Sequence, residues 1–268
     1  MKILVTGADG FIGRHLCKAL NKQGHDVYEL DNSQTNRVIG KININSIHKL
    51  HYYPDIVFHL AAQSSVQPSF NNPSKTFDDN VKGTNAVLQW ATNRGAKVVY
   101  AGSASKHADC YSSPYATSKM IGEDLLKMYR QCFGLEAEIA RFYNVYGEGE
   151  KENVLAKWRQ AIKQNTNPQI IGDGEQTRDF IHVEDIVDGL IKIGGSNLTH
   201  VDAFELGGNQ TTTINELATM FHERFGCEFD YIDDQEGNVR ESRQINQDAN
   251  EMLNWQPKRT LIDYVMSL

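Results

Sequence analysis

The sequence predicts an α/β protein: a doubly wound parallel sheet with a smaller domain interleaved with it toward the C-terminus. Three observations carry this reading. Short apolar, β-branched runs alternate with helical patterns, the first run ends in a glycine-rich turn, and 268 residues are enough for one large or two interleaved domains. No internal repeat, low-complexity tract or long charged linker separates the parts.

Lys2 to Thr6 reads as a strand, and beyond the glycines Ile12, Leu16, Ala19 and Leu20 recur at helical spacing. Val27 to Leu30 is a second strand ending in Asp31, and Ile56 to Leu60 and Val98 to Tyr100 are further strands. Helical intervals join Phe77, Val81, Thr84, Leu88 and Ala91 between Ser74 and Asn93. Ile121, Leu125, Met128 and Cys132 do the same from Ala116 to Cys132. Ile139 to Phe142 reads as strand, followed by helices near Val154 to Lys163, Val183 to Ile193 and Ile214 to Phe225, with a strand at Ala203 to Leu206. Such alternation needs crossover connections, hence a parallel sheet covered on both faces. Residues 145–179 and 209–268 are the expected pieces of the smaller domain.

Composition narrows the partners. Acidic residues outnumber basic ones 34 to 27, for a formal charge of -7, and no basic run is long enough to neutralise a phosphate backbone. No nucleic-acid partner is expected. The longest apolar stretches, such as Ile56 to Ala62, fall far short of the roughly 20 residues that cross a bilayer. Met1 leads straight into a strand, without the apolar stretch and cleavage site of a signal peptide. Cys17, Cys110, Cys132 and Cys227 lie far apart with no CxxC pair, which suits reduced thiols rather than a disulfide framework or zinc site. A cytoplasmic protein with no membrane partner and no metal is expected. His59, in an apolar strand, and His182, before a helix, lack a second ligand at useful spacing and read as structural.

Gly7-Ala8-Asp9-Gly10-Phe11-Ile12-Gly13 sets three glycines between strand and helix, where small residues let a dinucleotide pyrophosphate approach the backbone and the helix N-terminus. Asp31 ends the next strand, where a carboxylate accepts hydrogen bonds from an adenosine ribose and repels a 2′-phosphate. The pattern favours NAD over NADP, with Arg37 as the residue that could still receive a phosphate. Tyr115-Ala116-Thr117-Ser118-Lys119 puts a phenol and an ammonium four residues apart, on one helix face. For a tyrosine to act as a base near neutral pH, its pKa must fall by roughly 3 pH units, about 4 kcal/mol. Lys119 and an oxidised nicotinamide ring are cations that act in that sense. Ser103, just past the Val98 to Tyr100 strand, can hold a substrate alcohol and share its proton.

These motifs, with Arg141-Phe142-Tyr143-Asn144-Val145-Tyr146-Gly147, resemble the extended short-chain dehydrogenase/reductase family, in particular its nucleotide-sugar epimerases and dehydratases. The run from Gly172 to Asp185 extends the resemblance. It implies a Rossmann-type NAD-binding domain over residues 1–144, with a return segment at about 180–208, and a mainly substrate-binding domain over 145–268. It implies Tyr115, Lys119 and Ser103 as catalytic residues. For the cofactor it adds Gly7, Gly10, Phe11, Ile12 and Asp31, the turn Ala61-Ala62-Gln63-Ser64, Asn80, and Tyr143 near the nicotinamide. For the nucleotide sugar it implies Asn144 and Arg178 beside the pyrophosphate, Val154 and Lys157 along the nucleotide, and a second arginine, Arg240 with Arg243 in reserve. A UDP-sugar is the favoured substrate, and a homodimer through two helices per subunit, including that of Tyr115, is expected.

The chain also departs from the pattern. Only 27 residues separate Asp31 from His59, and the aspartate that commonly contacts adenine has only Asn43 as a counterpart. Sugar 4,6-dehydratases carry Asp-Glu after the catalytic hydroxyl residue, because eliminating water needs a separate base and acid; here stand Ala104 and Ser105. Lys106-His107 replaces the usual Val-Tyr, and His107 with Cys110 is a conceivable acid-base pair. A 4-epimerase needs neither acid and is the leading expectation. The alternatives are a 4-keto-sugar reductase, a 4,6-dehydratase and a nucleotide-sensing binding protein.

Overall fold

The computed structural model describes residues 1–33, 40–107, 109–198 and 202–268. Arg37 lies outside them. The chain begins as β1 (Lys2–Thr6), α1 (Phe11–Lys22), β2 (Asp26–Asp31) and the short β3 (Gly40–Lys41), then returns as β4 (Ile56–His59). Two short helices, α2 (Val66–Asn71) and α3 (Pro73–Phe77), precede α4 (Gly83–Thr92), β5 (Lys97–Ser103), α5 (Pro114–Phe133) and β6 (Ala137–Phe142). The second half supplies β7 (Asn144–Tyr146), α6 (Val154–Lys163), β8 (Gln169–Ile171), β9 (Thr177–His182), α7 (Val183–Gly195) and β10 (Phe204–Leu206). It closes with β11 (Thr211–Thr213), α8 (Ile214–Phe225), β12 (Asp230–Ile232), α9 (Asp248–Leu253) and α10 (Leu261–Ser267).

Seven strands form one parallel sheet in the order β10-β6-β5-β4-β1-β2-β3. The chain leaves β1 toward β2 and β3, then crosses to β4 on the other side, so the strand order reverses between β1 and β4. In doubly wound sheets the crevice beyond the carboxyl ends at such a point receives the ligand. The strands are near-continuous apolar runs because both faces are covered. Leu16, Leu20, Val187 and Leu190 pack on one face, and Leu88, Trp90, Leu126 and Tyr129 on the other. A third cluster, built on Trp158, Phe180, Leu217 and Phe221, forms the core beneath the small sheets β11-β9-β7 and β12-β8.

Two differences from the sequence reading have physical causes. The helical stretch between Ser74 and Asn93 is interrupted by a wide π turn at Asp78–Lys82. Asn80, buried in that turn, bonds to Gln63 and Ser118, a kind of local widening often found at functional sites. In the expected smaller domain, Ala249 and Trp255 pack back into the first core, where the Trp255 indole donates to the Asp185 carbonyl at 3.0 Å.

Candidate active site

The Gly7–Gly13 turn opens onto the crevice because no side chain can fill it. Gly7 has φ +73°, and a Cβ there would lie 2.8 Å from the Ala61 nitrogen; one on Gly13 would lie 2.1 Å from the Gly7 carbonyl. Only glycine lets the turn close, the helix start and the β4 loop approach. Gly10 caps α1 without a side-chain bond, which leaves the first-turn N–H groups of the helix for an anion. Asp31 faces the same cavity and accepts N–H bonds from Asp9 at 3.0 Å and Ser33 at 2.9 Å. A cradle that a Cβ would fill, a helix N-terminus and an acid at the end of β2 together fit a dinucleotide.

The cavity measures about 1180 Å³ and lies between the ends of the large sheet's strands and the loops around β7 and β9. Gly7, Gly10, Phe11, Ile12 and Asp31 line one end. Ala61, Ala62 and Gln63 line its wall, and Ser103, Tyr115, Lys119, Tyr143 and Asn144 line its centre. Lys157 on α6 and Arg178 on β9 line it from the opposite side.

Local sequence explains the central group. Ser113 caps α5 by accepting the Ala116 N–H at 3.1 Å, and Pro114 occupies the first turn, so Tyr115 and Lys119 sit one turn apart at the helix start. Gly122 brings α5 against β5; a Cβ there would lie 2.1 Å from the Tyr100 hydroxyl. Lys119 donates to the Ala101 carbonyl and lies 4.6 Å from the Tyr100 ring centre. Its ammonium is buried, which pulls its pKa down to about 8 despite the opposing charge of Glu123. Burial raises the Tyr115 phenol above its ordinary value, and a hydrogen bond with Ser103 counteracts it. The environment of the protein alone thus keeps Tyr115 protonated, in contrast to the lowering expected from Lys119. Ser103 is held in turn by the Ser105 hydroxyl at 2.9 Å.

Four expected residues stand elsewhere. Asn80 lies behind the wall rather than on it. Its side chain accepts the Gln63 N–H at 2.7 Å and donates to Ser118 at 2.9 Å, and Ser118 donates to the Tyr115 carbonyl, so Asn80 ties the Ala61–Gln63 loop to α5. Val154, in the first turn of α6, packs against the third core cluster, while Lys157 reaches the cavity. Arg240 points to an exposed ion pair with Asp173 at 2.6 Å, and Arg243 pairs with Glu241 at the surface. Arg178 is not an ion-pair partner of Asp179: it donates to Asn238 at 2.9 Å, while the Asp179 carboxylate accepts the N–H groups of Gly208 and Gln244.

Lys106 and His107 do not floor the cavity. Lys106 pairs with Glu123 at 2.9 Å and His107 bonds to Glu205. His107 and Cys110 therefore form no acid-base pair at the site. His59, buried between the hydroxyls of Thr6 and Thr84, has its pKa lowered by burial and by Lys119 to about 3 and is structural. His182 caps α7. Asn43 lines the cavity while capping the turn at Ile44–Lys49. Sequence reasoning missed Phe142 and Asn238 on the cavity wall, and Glu152, which bonds across the mouth to Ser65. Only Asn153, an N-cap before the α6 pattern, signalled that this loop would be ordered toward the site.

A nucleotide crevice, a Tyr-Lys pair on one helix turn and a serine at the adjoining strand end meet at one cavity, the arrangement of an enzyme that uses a dinucleotide. The chain belongs to the NAD dependent epimerase/dehydratase family, which it matches over residues 3–207. It is 31% identical to the UDP-glucose 4-epimerase of Mycolicibacterium smegmatis, over 98% of this chain and 96% of that one. With UDP-glucuronic acid decarboxylase 1 of Xenopus tropicalis it shares 27% identity, over 96% of this chain and 68% of that one. Among solved structures it is similar to the UDP-glucose 4-epimerase of Thermotoga maritima with UDP-glucose, at 28% identity, TM-score 0.89, and coverage of 99% and 96%. NAD is the cofactor of the family. Among the described residues no helix is long and apolar enough to cross a membrane, and all four cysteines are free.

Proposed function

We propose that the protein is an NAD-dependent nucleoside-diphosphate-sugar 4-epimerase acting on a UDP-hexose. The observation that carries the reading is the turn beside the catalytic pair: Ser103 bonds to Tyr115, Ser105 bonds to Ser103, and Ala104 and Ser105 stand where a 4,6-dehydratase has its two acids. Lys106 is turned away onto Glu123. The similarity to UDP-glucose 4-epimerases over nearly the whole chain supports the same choice and favours uridine.

The glycine turn, Asp31 and the Ala61–Gln63 loop would hold NAD, and Lys119 would hold its nicotinamide ribose. When bound, the cofactor supplies the acceptor and donor of the C4 hydride and a positive ring charge. Ser103 holds the C4 hydroxyl and Tyr115 takes its proton at Oη. The phenolate, which burial opposes, would be favoured by the positive ring of the bound cofactor together with Lys119 on the same helix face. The 4-keto sugar then presents its other face, and Tyr115 returns the proton. Arg178 and Asn144 hold the diphosphate meanwhile, the guanidinium by paired bonds to phosphate oxygens. α5 leaves Met128 and Phe133 exposed, in keeping with a homodimer through this helix.

The test is a panel of UDP-, GDP- and dTDP-hexoses followed by proton NMR for inversion at C4. Catalytic NAD should suffice, with no net absorbance change at 340 nm. Stoichiometric consumption of reduced cofactor would instead mean a reductase.

A further inference from the structure

Glu205 lies on β10 opposite Arg141 in the sheet register, and its side chain is wholly buried. Proton transfer by Tyr115 makes no direct use of it. Its carboxylate nevertheless gathers three separate segments of chain. Oε2 accepts the Tyr143 hydroxyl at 2.8 Å and the backbone N–H groups of Ile245 at 2.8 Å and Asn246 at 3.3 Å. Oε1 bonds to His107 Nε2 and lies 3.5 Å from the Arg141 guanidinium. His107 ends the short turn that begins at Ser103, and Tyr143 lines the cavity. Ile245 belongs to the segment between β12 and α9.

A buried carboxylate persists only where charge-assisted hydrogen bonds compensate its lost hydration. Burial pushes Glu205 up, yet the bonds from His107, the Ile245 N–H and Tyr143 prevail and hold it below the usual carboxylate range. The Tyr143 phenol is pushed up by burial and by Glu205 itself, so it stays protonated and donates. Its hydroxyl donates to Glu205 at 2.8 Å and also meets the Ile245 backbone, which Glu205 holds in place. The ring that lines the cavity is thus oriented by an anion that cannot swing away, and the same anion anchors the turn carrying Ser103.

We infer that Glu205, with His107 as its partner, is a positioning residue that sets Tyr143 and the Ser103 turn against the nicotinamide end of the cavity. The pair accounts for the His107 departure, which serves the interior rather than the sugar. This role rests on the 4-epimerase reading for its rate measurement and on NAD binding alone for its affinity measurement.

Glu205→Gln keeps the shape and removes the charge; Tyr143→Phe removes the donor. Affinities of wild type, both variants and the double variant for NAD and for ADP-ribose, which lacks the nicotinamide, are compared by calorimetry on protein freed of nucleotide. Each single variant should weaken NAD on the order of tenfold, the worth of one charge-assisted hydrogen bond. ADP-ribose should move less than about twofold, and the double variant should be no weaker than the worse single one. With UDP-glucose, kcat should fall on the order of tenfold or more while KM stays within about twofold, as expected when orientation rather than binding is lost. Equal weakening of NAD and ADP-ribose would mean general loosening and overturn the role, as would multiplying losses in the double variant. Should Glu205→Gln not fold, Tyr143→Phe with His107→Gln, at the more exposed end of the network, decides by the same selective loss. A wild-type chain that inverts no sugar refutes the epimerase reading and leaves the NAD comparison to judge this one.

Discussion

Replacing Lys119 with methionine should stabilise the nucleotide-free protein while removing its activity. The side chain is 5% exposed, and burial brings its ammonium from 10.5 down to about 8. Because the folded value lies below the unfolded one, the folded chain binds this proton more weakly. The penalty is complete below about pH 8, where both states carry the charge, and is relieved as pH rises from about 8 toward 10.5. The gap between those values corresponds to about 3 kcal/mol at neutral pH. Against it stand the hydrogen bond to the Ala101 carbonyl and the contact with the Tyr100 ring, whose loss costs about 1 to 2 kcal/mol. Methionine, unbranched and flexible, fills the slot with little strain. Lys119→Met should therefore be more stable by about 1 to 2 kcal/mol at pH 7, with the advantage narrowing and reversing by about pH 10. Urea denaturation of both proteins across that range, after nucleotide removal, measures it. A variant less stable than wild type at pH 7, or a difference that stays flat between pH 8 and 10, would refute the reasoning.

Tyr115→Phe keeps the ring and removes the atom that carries the proton, so turnover should fall on the order of 10² to 10⁴-fold, with NAD affinity within about twofold by calorimetry. Since burial raises this phenol and the base must be ionised, wild-type kcat/KM should climb with pH through neutrality. Asp31→Ser should shift the ratio of NADP to NAD affinity on the order of tenfold toward NADP, by relieving the repulsion of a 2′-phosphate. Arg178→Met should raise KM for the nucleotide sugar on the order of tenfold or more, whereas Arg240→Met, which breaks only an exposed ion pair with Asp173, should change it by less than about twofold. Steady-state kinetics on both arginine variants check that contrast.

Legibility in the sequence followed the range of the forces involved. α6 and α8 begin and end where the apolar period, the Asn153 cap and the Thr213 capping box place them, because all of those signals act within a few residues. The glycine turn was readable for the same reason: backbone geometry at Gly7 and Gly13 admits no other residue. The π turn at Asp78–Lys82 was not, since what accompanies it is Asn80 reaching Gln63 and Ser118, and no local pattern encodes a partner 38 positions away. Strands β7, β9, β11 and β12, only three to six residues each, pair mainly with distant segments and carry too little alternation to register. Arg240 was chosen for its residue type and place in the chain, but nearby Asp173 draws it to the surface, and Asn238 is the residue of that loop that reaches Arg178.

The two substitutions that looked most threatening to a sugar pocket, Lys106 and His107, are explained by carboxylates far away in sequence. Glu123 on α5 already faces the guanidinium of Arg141, at 2.8 Å, and Glu205 on β10 lies alongside it. Both acids are almost fully buried, at 1% and 0% exposure, so each gains more from a further cationic or N–H partner than it would at the surface. A lysine and a histidine directly after the Ser103 turn are within reach, and both turn inward. That inward turn leaves the Ser103 hydroxyl, itself bonded to Ser105, as the turn's polar group on Tyr115. A single shared proton can be moved there and back, which suffices to oxidise and re-reduce one carbon, whereas expelling water from the neighbouring carbons needs a second acid that this turn does not provide. The charge that the chain places beside Ser103 is thus spent on holding the scaffold, and the proposed restriction to epimerisation follows from where that charge went.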